Sequence, residues 1–121
     1  MSEESIHIDT TAMDWQEAPG EGVWVKKLFR HKESGNSSLM IKLEPGATYN
    51  AHQHTGEEHY LVLEGTLNDG GRIIGPGGYV HHRPGSAHCP RTEDGCVVFV
   101  TLGKPVIPVG EGECHTLFKS R

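Results

Sequence analysis

Short apolar runs, cut at close intervals by glycine and proline, leave this chain few folds to choose from. Sixteen glycines and seven prolines fall among 121 residues, and the segments between them are rich in Val, Leu, Ile, Tyr and Trp. No segment carries an apolar stripe at the helical period, so the runs read as strands. Residues 23–30 alternate Val23, Val25 and Phe29 with more polar neighbours. Further strands are expected over 38–43, 59–67, 78–82, 88–91 and 96–102, the last being the most apolar. Residues 5–9 are expected to open the fold as a strand, 104–112 to form a loop, and 115–118 to add a closing strand. Pro45-Gly46, Pro76-Gly77 and Pro84-Gly85 suit type II turns, because Pro presets φ at the second position and Gly accepts φ > 0 at the third. Asn68-Asp69-Gly70-Gly71 reads as a hairpin turn leading into 72–74. About eight to eleven short antiparallel strands joined by tight turns predict an all-β fold, a jelly-roll-like barrel.

At this length a single domain over residues 1–121 is expected, large enough for one hydrophobic core. Eleven basic against sixteen acidic residues give a net charge of −5, with Lys and Arg scattered. That argues against nucleic-acid binding, which needs basic residues clustered on one face. No apolar run is long enough to span a membrane. The start, Met-Ser-Glu-Glu-Ser, lacks the basic and apolar regions of a signal peptide. Cys89, Cys96 and Cys114 match neither a disulfide framework nor a zinc-ribbon spacing, so a cytoplasmic location is expected.

Nine histidines are many for so short a chain. His52 and His54 stand two residues apart in a stretch that reads as strand, which projects both from one face. Glu58 follows four residues later, and His88 comes after the Pro84-Gly85 turn. Imidazole and carboxylate together suit Zn, Fe, Ni, Mn or Cu. If parity runs on regularly, Glu58, Tyr60 and Val62 face inward, leaving Glu57 as a solvated charge or a partner supporting the ligands. Tyr60 and His82 are candidate supporting residues that touch substrate rather than metal. Tyr49, Tyr79, His81 and His82 flank the site in sequence, as candidates for the mouth of a cavity or as exposed strand residues. Cys89 reads as a free thiol, Cys96 as core, and Trp15 and Trp24 as core or interface.

The spacing has a family likeness. Gly46, five residues, His52-x-His54, three residues, Glu58, six residues and Gly65 reproduce the first motif of the cupin superfamily. Gly77, five residues, Arg83-Pro84-Gly85, two residues, His88, three residues and Thr92 follow the second, with Arg83 in place of Pro and Thr92 in place of Asn. Neither departure removes a ligand. More narrowly, residues 52–58, 62–66, 84–88 and 93–96 resemble the cupin domain of ChrR-type anti-sigma factors and related small cupins. The likeness runs from about Trp15 to Leu102. It implies a double-stranded β-helix holding one divalent metal ion, Fe or Zn foremost with Ni or Mn as alternatives, on His52, His54, Glu58 and His88.

Such a site serves two chemistries. Around octahedral Fe(II) the four ligands leave two adjacent positions for substrate and O₂, whereas around tetrahedral Zn(II) they close the shell. Small cupins include diketone dioxygenases, while the ChrR-type domain is a zinc-binding sensor. No helical zinc-binding segment precedes the cupin-like region, which tilts the expectation toward a metal-dependent oxygenase acting on a small carbonyl compound. The expected partners are a small-molecule ligand and a second copy of the chain. Metal affinity is expected to fall as pH drops below about 6.5, the ordinary imidazole pKa.

Overall fold

A computed structural model describes residues 5–49, 52–54, 56–104 and 106–108. After a short 3₁₀ turn at Thr10–Ala12, eleven strands follow among the described residues. They are β1 (Gln16–Glu17), β2 (Val23–Arg30), β3 (Ser37–Leu43), β4 (His52–His54), β5 (Glu58–Gly65), β6 (Leu67–Asp69), β7 (Arg72–Ile74), β8 (Tyr79–His82), β9 (Ala87–His88), β10 (Cys96–Leu102) and β11 (Val106–Pro108). All pairings between them are antiparallel. They form a six-stranded sheet in the order β1-β2-β3-β10-β5-β8, a three-stranded sheet β11-β4-β9 and the β6-β7 hairpin.

The sheets form where period-two alternation gives each strand one buried face. On β10, Cys96, Val98 and Val100 are buried, and they meet Val23 and Val25 of β2, Ile41 and Leu43 of β3, and Tyr60 and Val62 of β5. Burying a Val or Leu side chain stabilises the fold by about 1.5–3 kcal/mol, so this layer is its main apolar support. The pairing of β5 with β10 shifts register between Val97 and Val98, passing over Leu63, which is left exposed.

All three Pro-Gly pairs make the expected turns, each closed by a backbone bond across four residues: Ala47 N–H to Glu44 O, Gly78 N–H to Gly75 O and Ser86 N–H to Arg83 O. Several expectations need correction, among them the strand over 88–91, in place of which only Ala87–His88 forms. Residues 5–9 form no strand. Instead, Asp9 caps the 3₁₀ turn by accepting from the Thr11 N–H, a local bond available to Asp that competes with strand pairing. Part of the expected loop at 104–112 is strand β11, which the sequence hides because its partner β4 lies some fifty residues earlier. Cys89 is disulfide-bonded rather than free, its partner lying outside the described residues; local parity cannot reveal a covalent link to a distant position. The odd cysteine count therefore no longer argues for a reducing compartment. The strand expected over 115–118 lies outside the described residues. Trp15 and Trp24 are half-buried, packed under the ammonium groups of Lys26 and Lys42.

Where β5 ends, the chain passes close to the start of β10. Gly65 has φ of 73°, and a Cβ placed there would stand 1.9 Å from the Gly95 carbonyl oxygen. Both clashing partners are backbone, so neither can swing aside. Gly65→Ala should therefore lower stability by roughly 3 kcal/mol or more, combining left-handed strain with overpacking. The urea midpoint measures this, and an unchanged midpoint would show that the crossing can relax.

Candidate metal centre

The site is assembled from all three sheets. Glu58 opens β5 and His82 ends β8, and the register sets them directly opposite each other on the inner face of the six-stranded sheet. His88 comes from β9 of the three-stranded sheet, and Asp69 ends β6 of the hairpin. Glu58 is 5% exposed, His88 4% and Asp69 9%. The metal-binding atoms of Glu58, His82 and His88 all lie within 4.8 Å of one another. The register also places His52 of β4 opposite His88. The side chains of His52 and His54 lie outside the described residues.

Asp69 is the hub. Its Oδ2 accepts from the Tyr60 hydroxyl at 2.5 Å and from His82 Nε2 at 2.8 Å, and its Oδ1 pairs with His88 Nδ1 at 3.0 Å. Burial by itself would raise this carboxyl, but the bonds from His82, His88 and Tyr60 outweigh it and hold the pKa well below the usual carboxylate range. Asp69 is thus an acceptor-only anion facing three donors. The Tyr60 hydroxyl is pushed far up, first by burial and then by the Asp69 charge, so it stays a proton donor. Burial, helped by the nearby Glu58 charge, also raises Tyr49.

With His88 Nδ1–H donating to Asp69, Nε2 is the nitrogen left to face Glu58 Oε1, 3.3 Å away. Two acceptor atoms facing each other at that distance repel, and a cation between or beside them relieves the repulsion. A proton meets the need: although burial lowers the His88 pKa, the bonds to Asp69 and Glu58 lift it to about 9. A divalent ion meets it as well. Ligands about 2.0–2.2 Å from a common ion stand about 3.0–3.5 Å apart. The surroundings also balance in charge, since the Glu58 carboxylate and the Asp69 carboxylate behind it, with neutral imidazoles, match one divalent cation. A histidine anchored through its other nitrogen to a carboxylate is the usual support for a metal ligand. The residues present therefore fit the metal that the motif implies.

Beside Glu58 and His88 lies an apolar cavity of about 30 Å³, bounded by Tyr49, Tyr60, Leu67 and Val100 among others. The expected inward parity of Glu58, Tyr60 and Val62 matches their burial. Of the residues placed at a cavity mouth, Tyr49 is at the cavity, whereas Tyr79 and His81 belong to the outer face of β8. Asp69 is the residue of this site that the sequence hides, because Asn68-Asp69-Gly70-Gly71 reads as a turn. The actual turn is Gly70-Gly71 alone, with φ of 63° and 93°, as a two-residue primed hairpin requires. The signal was present: the shorter turn makes Leu67 and Asp69 strand residues of one parity, both inward. Thr92, where the cupin motif has Asn, clamps the loop by donating to the Thr66 carbonyl and accepting from the Gly95 N–H.

Residues 3–106 match the family model of the ChrR cupin-like domain. The chain belongs to this family. Its fold is shared with solved cupin structures at low identity. A proposed acetylacetone dioxygenase of Methylibium petroleiphilum PM1 superposes with a TM-score of 0.85 at 18% identity, covering 93% of this chain and 85% of that one. The acetylacetone dioxygenase of Acinetobacter johnsonii gives 0.72 at 16%, covering 99% and 93%. The Rhodobacter sphaeroides complex of SigE with the anti-sigma factor ChrR gives 0.67 at 23%, covering 78% of this chain and 50% of that one. Identities this low establish the double-stranded β-helix and no more. No curated protein matches the sequence. Among the described residues no helix is long and apolar enough to cross a membrane.

Proposed function

We propose that this ChrR-family cupin is a non-haem metal-dependent oxygenase for a small carbonyl compound, its ion held by His52, His54, Glu58 and His88. One observation carries the reading. His82, beyond the four ligands, stands within 4.8 Å of the Glu58 and His88 donor atoms and is bonded to buried Asp69. A structural metal site needs no such group, but a reaction that moves protons does.

A redox-active divalent ion in this position would polarise a carbonyl oxygen and supply O₂ chemistry. The chain's own residues would do the rest. His82 is bonded through Nε2 to ionised Asp69, which favours uptake of a proton by the ring. A compound with an acidic C–H beside its carbonyl, such as a 1,3-diketone, would lose that proton to the His82 imidazole. The electron pair would pass into the enolate, and ionised Asp69 would stabilise the resulting imidazolium. Tyr60, committed to Asp69, positions this pair rather than touching substrate. The small apolar cavity beside Glu58 suits a molecule the size of dioxygen.

Anaerobic Fe(II) protein treated with nitric oxide should give a high-spin nitrosyl signal, and acetylacetone should drive O₂ consumption. His82→Ala should retain the metal yet lower turnover by about 10²–10⁴-fold, the usual contribution of a positioned acid–base group. A second reading, a ChrR-like zinc-binding sensor, is favoured by the family match. Protein that binds zinc, gives no nitrosyl signal and consumes no O₂ with diketones, thiols or hydroxy acids would establish that reading and exclude the oxygenase.

A further inference from the structure

The strand pair that builds the inner site carries a second cluster on its other face. Glu57 and Glu58 are consecutive and serve opposite sides. His59 of β5 and His81 of β8 are direct cross-strand partners. Their rings stack, with centroids 4.3 Å apart and planes 8° from parallel. Glu57, two residues before His59, directs its Oε1 to both: 3.0 Å from His81 Nε2 and 3.3 Å from His59 Nε2. These three donor atoms lie within 4.8 Å of one another. The Tyr79 hydroxyl is bonded to His59 Nδ1, the ring nitrogen away from the cluster. Accepting the Nδ1 proton would leave the Nε2 lone pair aimed at the cluster, which is how supported histidine ligands are held.

We propose that Glu57, His59 and His81 form a second, surface site for a divalent transition-metal ion. Two imidazoles and one carboxylate select Zn²⁺, Ni²⁺ or Cu²⁺ over Ca²⁺ and Mg²⁺, which take oxygen ligands. Stacked imidazoles that share one carboxylate oxygen gain most from a single cation serving all three. The histidine side chains are each 37% exposed and that of Glu57 55%, so an ion enters from solvent without opening the barrel. An open groove of about 780 Å³, lined in part by Gly56, Glu57, His59 and Lys104, leaves room for water or another ligand to complete the shell. The site is independent of the inner centre, since it shares no ligand with it.

The test is a calorimetric Zn²⁺ titration of chelator-treated full-length protein, run on the parent and on His59→Ala and His81→Ala. Both positions are on the exposed face, so the variants should keep the parent's circular dichroism. Each should bind one Zn²⁺ equivalent fewer than the parent, and His88→Ala should keep the event that they lose. As a second readout, Zn²⁺ added to the parent should shift the imidazole NMR signals of His59 and His81. If both variants bind as many equivalents as the parent with unchanged affinity, there is no outer site. A parent that binds one equivalent and loses it in His81→Ala would support the outer site while counting against the inner one.

Discussion

Asp69→Ala should unfold this protein more readily than any single substitution among the residues that face the candidate metal site. Three donors converge on the Asp69 carboxylate: the Tyr60 hydroxyl, His82 Nε2 and His88 Nδ1. They belong to β5, β8 and β9, so the carboxylate ties the β6-β7 hairpin to both larger sheets. Alanine leaves all three without their acceptor in the interior. Breaking a buried charged pair by removing one partner costs about 3–5 kcal/mol. A domain of ordinary stability has only about 5–15 kcal/mol to lose.

The same change should weaken metal binding, because His88 would no longer be held with Nε2 toward Glu58. Loss of such a supporting carboxylate usually costs about 10–100-fold in affinity. Asp69→Asn keeps the shape and one acceptor oxygen but sets an amide NH₂ against a donor, so it should fall between the parent and alanine. Urea midpoints give the stability, and competition with a chelator gives the affinity. A loss below about 1 kcal/mol in Asp69→Ala, with affinity unchanged, would mean that water replaces the carboxylate and that Asp69 is not the hub.

How readable this was from sequence depended on how local the cause is. The Pro-Gly turns act within four residues, and all three formed as their residue types require. The parity of Glu58, Tyr60 and Val62 follows from one strand's alternation and was legible for that reason. Strand β11 was not, since nothing within 104–112 shows the pairing with β4. Asp69 was obscured by its own chemistry. Asp beside Asn and two glycines favours a turn, and only Tyr60, His82 and His88, brought in by other strands, make it a buried anion. The Glu57 cluster was hidden similarly. Singly, Glu57 reads as a solvated charge and His81 as a cavity-mouth candidate, and only the β5-β8 register sets His81 beside His59.

The register also moves the pH at which metal and proton compete. Imidazole chemistry alone puts that competition near pH 6.5, but His88 between Asp69 and Glu58 keeps its proton up to about pH 9. Its folded-state pKa is raised above the unfolded value of about 6.5. The stabilisation from the protonated ring is therefore fully present below pH 6.5, declines as pH rises and is gone above about 9. Its ceiling is roughly 3 kcal/mol. Asp69 acts in the opposite sense, its contribution being lost only as pH falls far into the acid range, outside this window. Chelator-treated protein should thus lose urea resistance between about pH 6.5 and 9. A metal ion needs the bare Nε2 and must expel the proton, so its apparent affinity should rise about tenfold per pH unit across the same interval. Metal-loaded and metal-free stabilities should diverge as the solution becomes more alkaline. Urea melts of both forms at half-unit steps from pH 6 to 9.5 test this. Parallel, flat profiles would mean that His88 carries no proton between Asp69 and Glu58, and that the 3.3 Å approach of Nε2 to Oε1 is relieved in some other way.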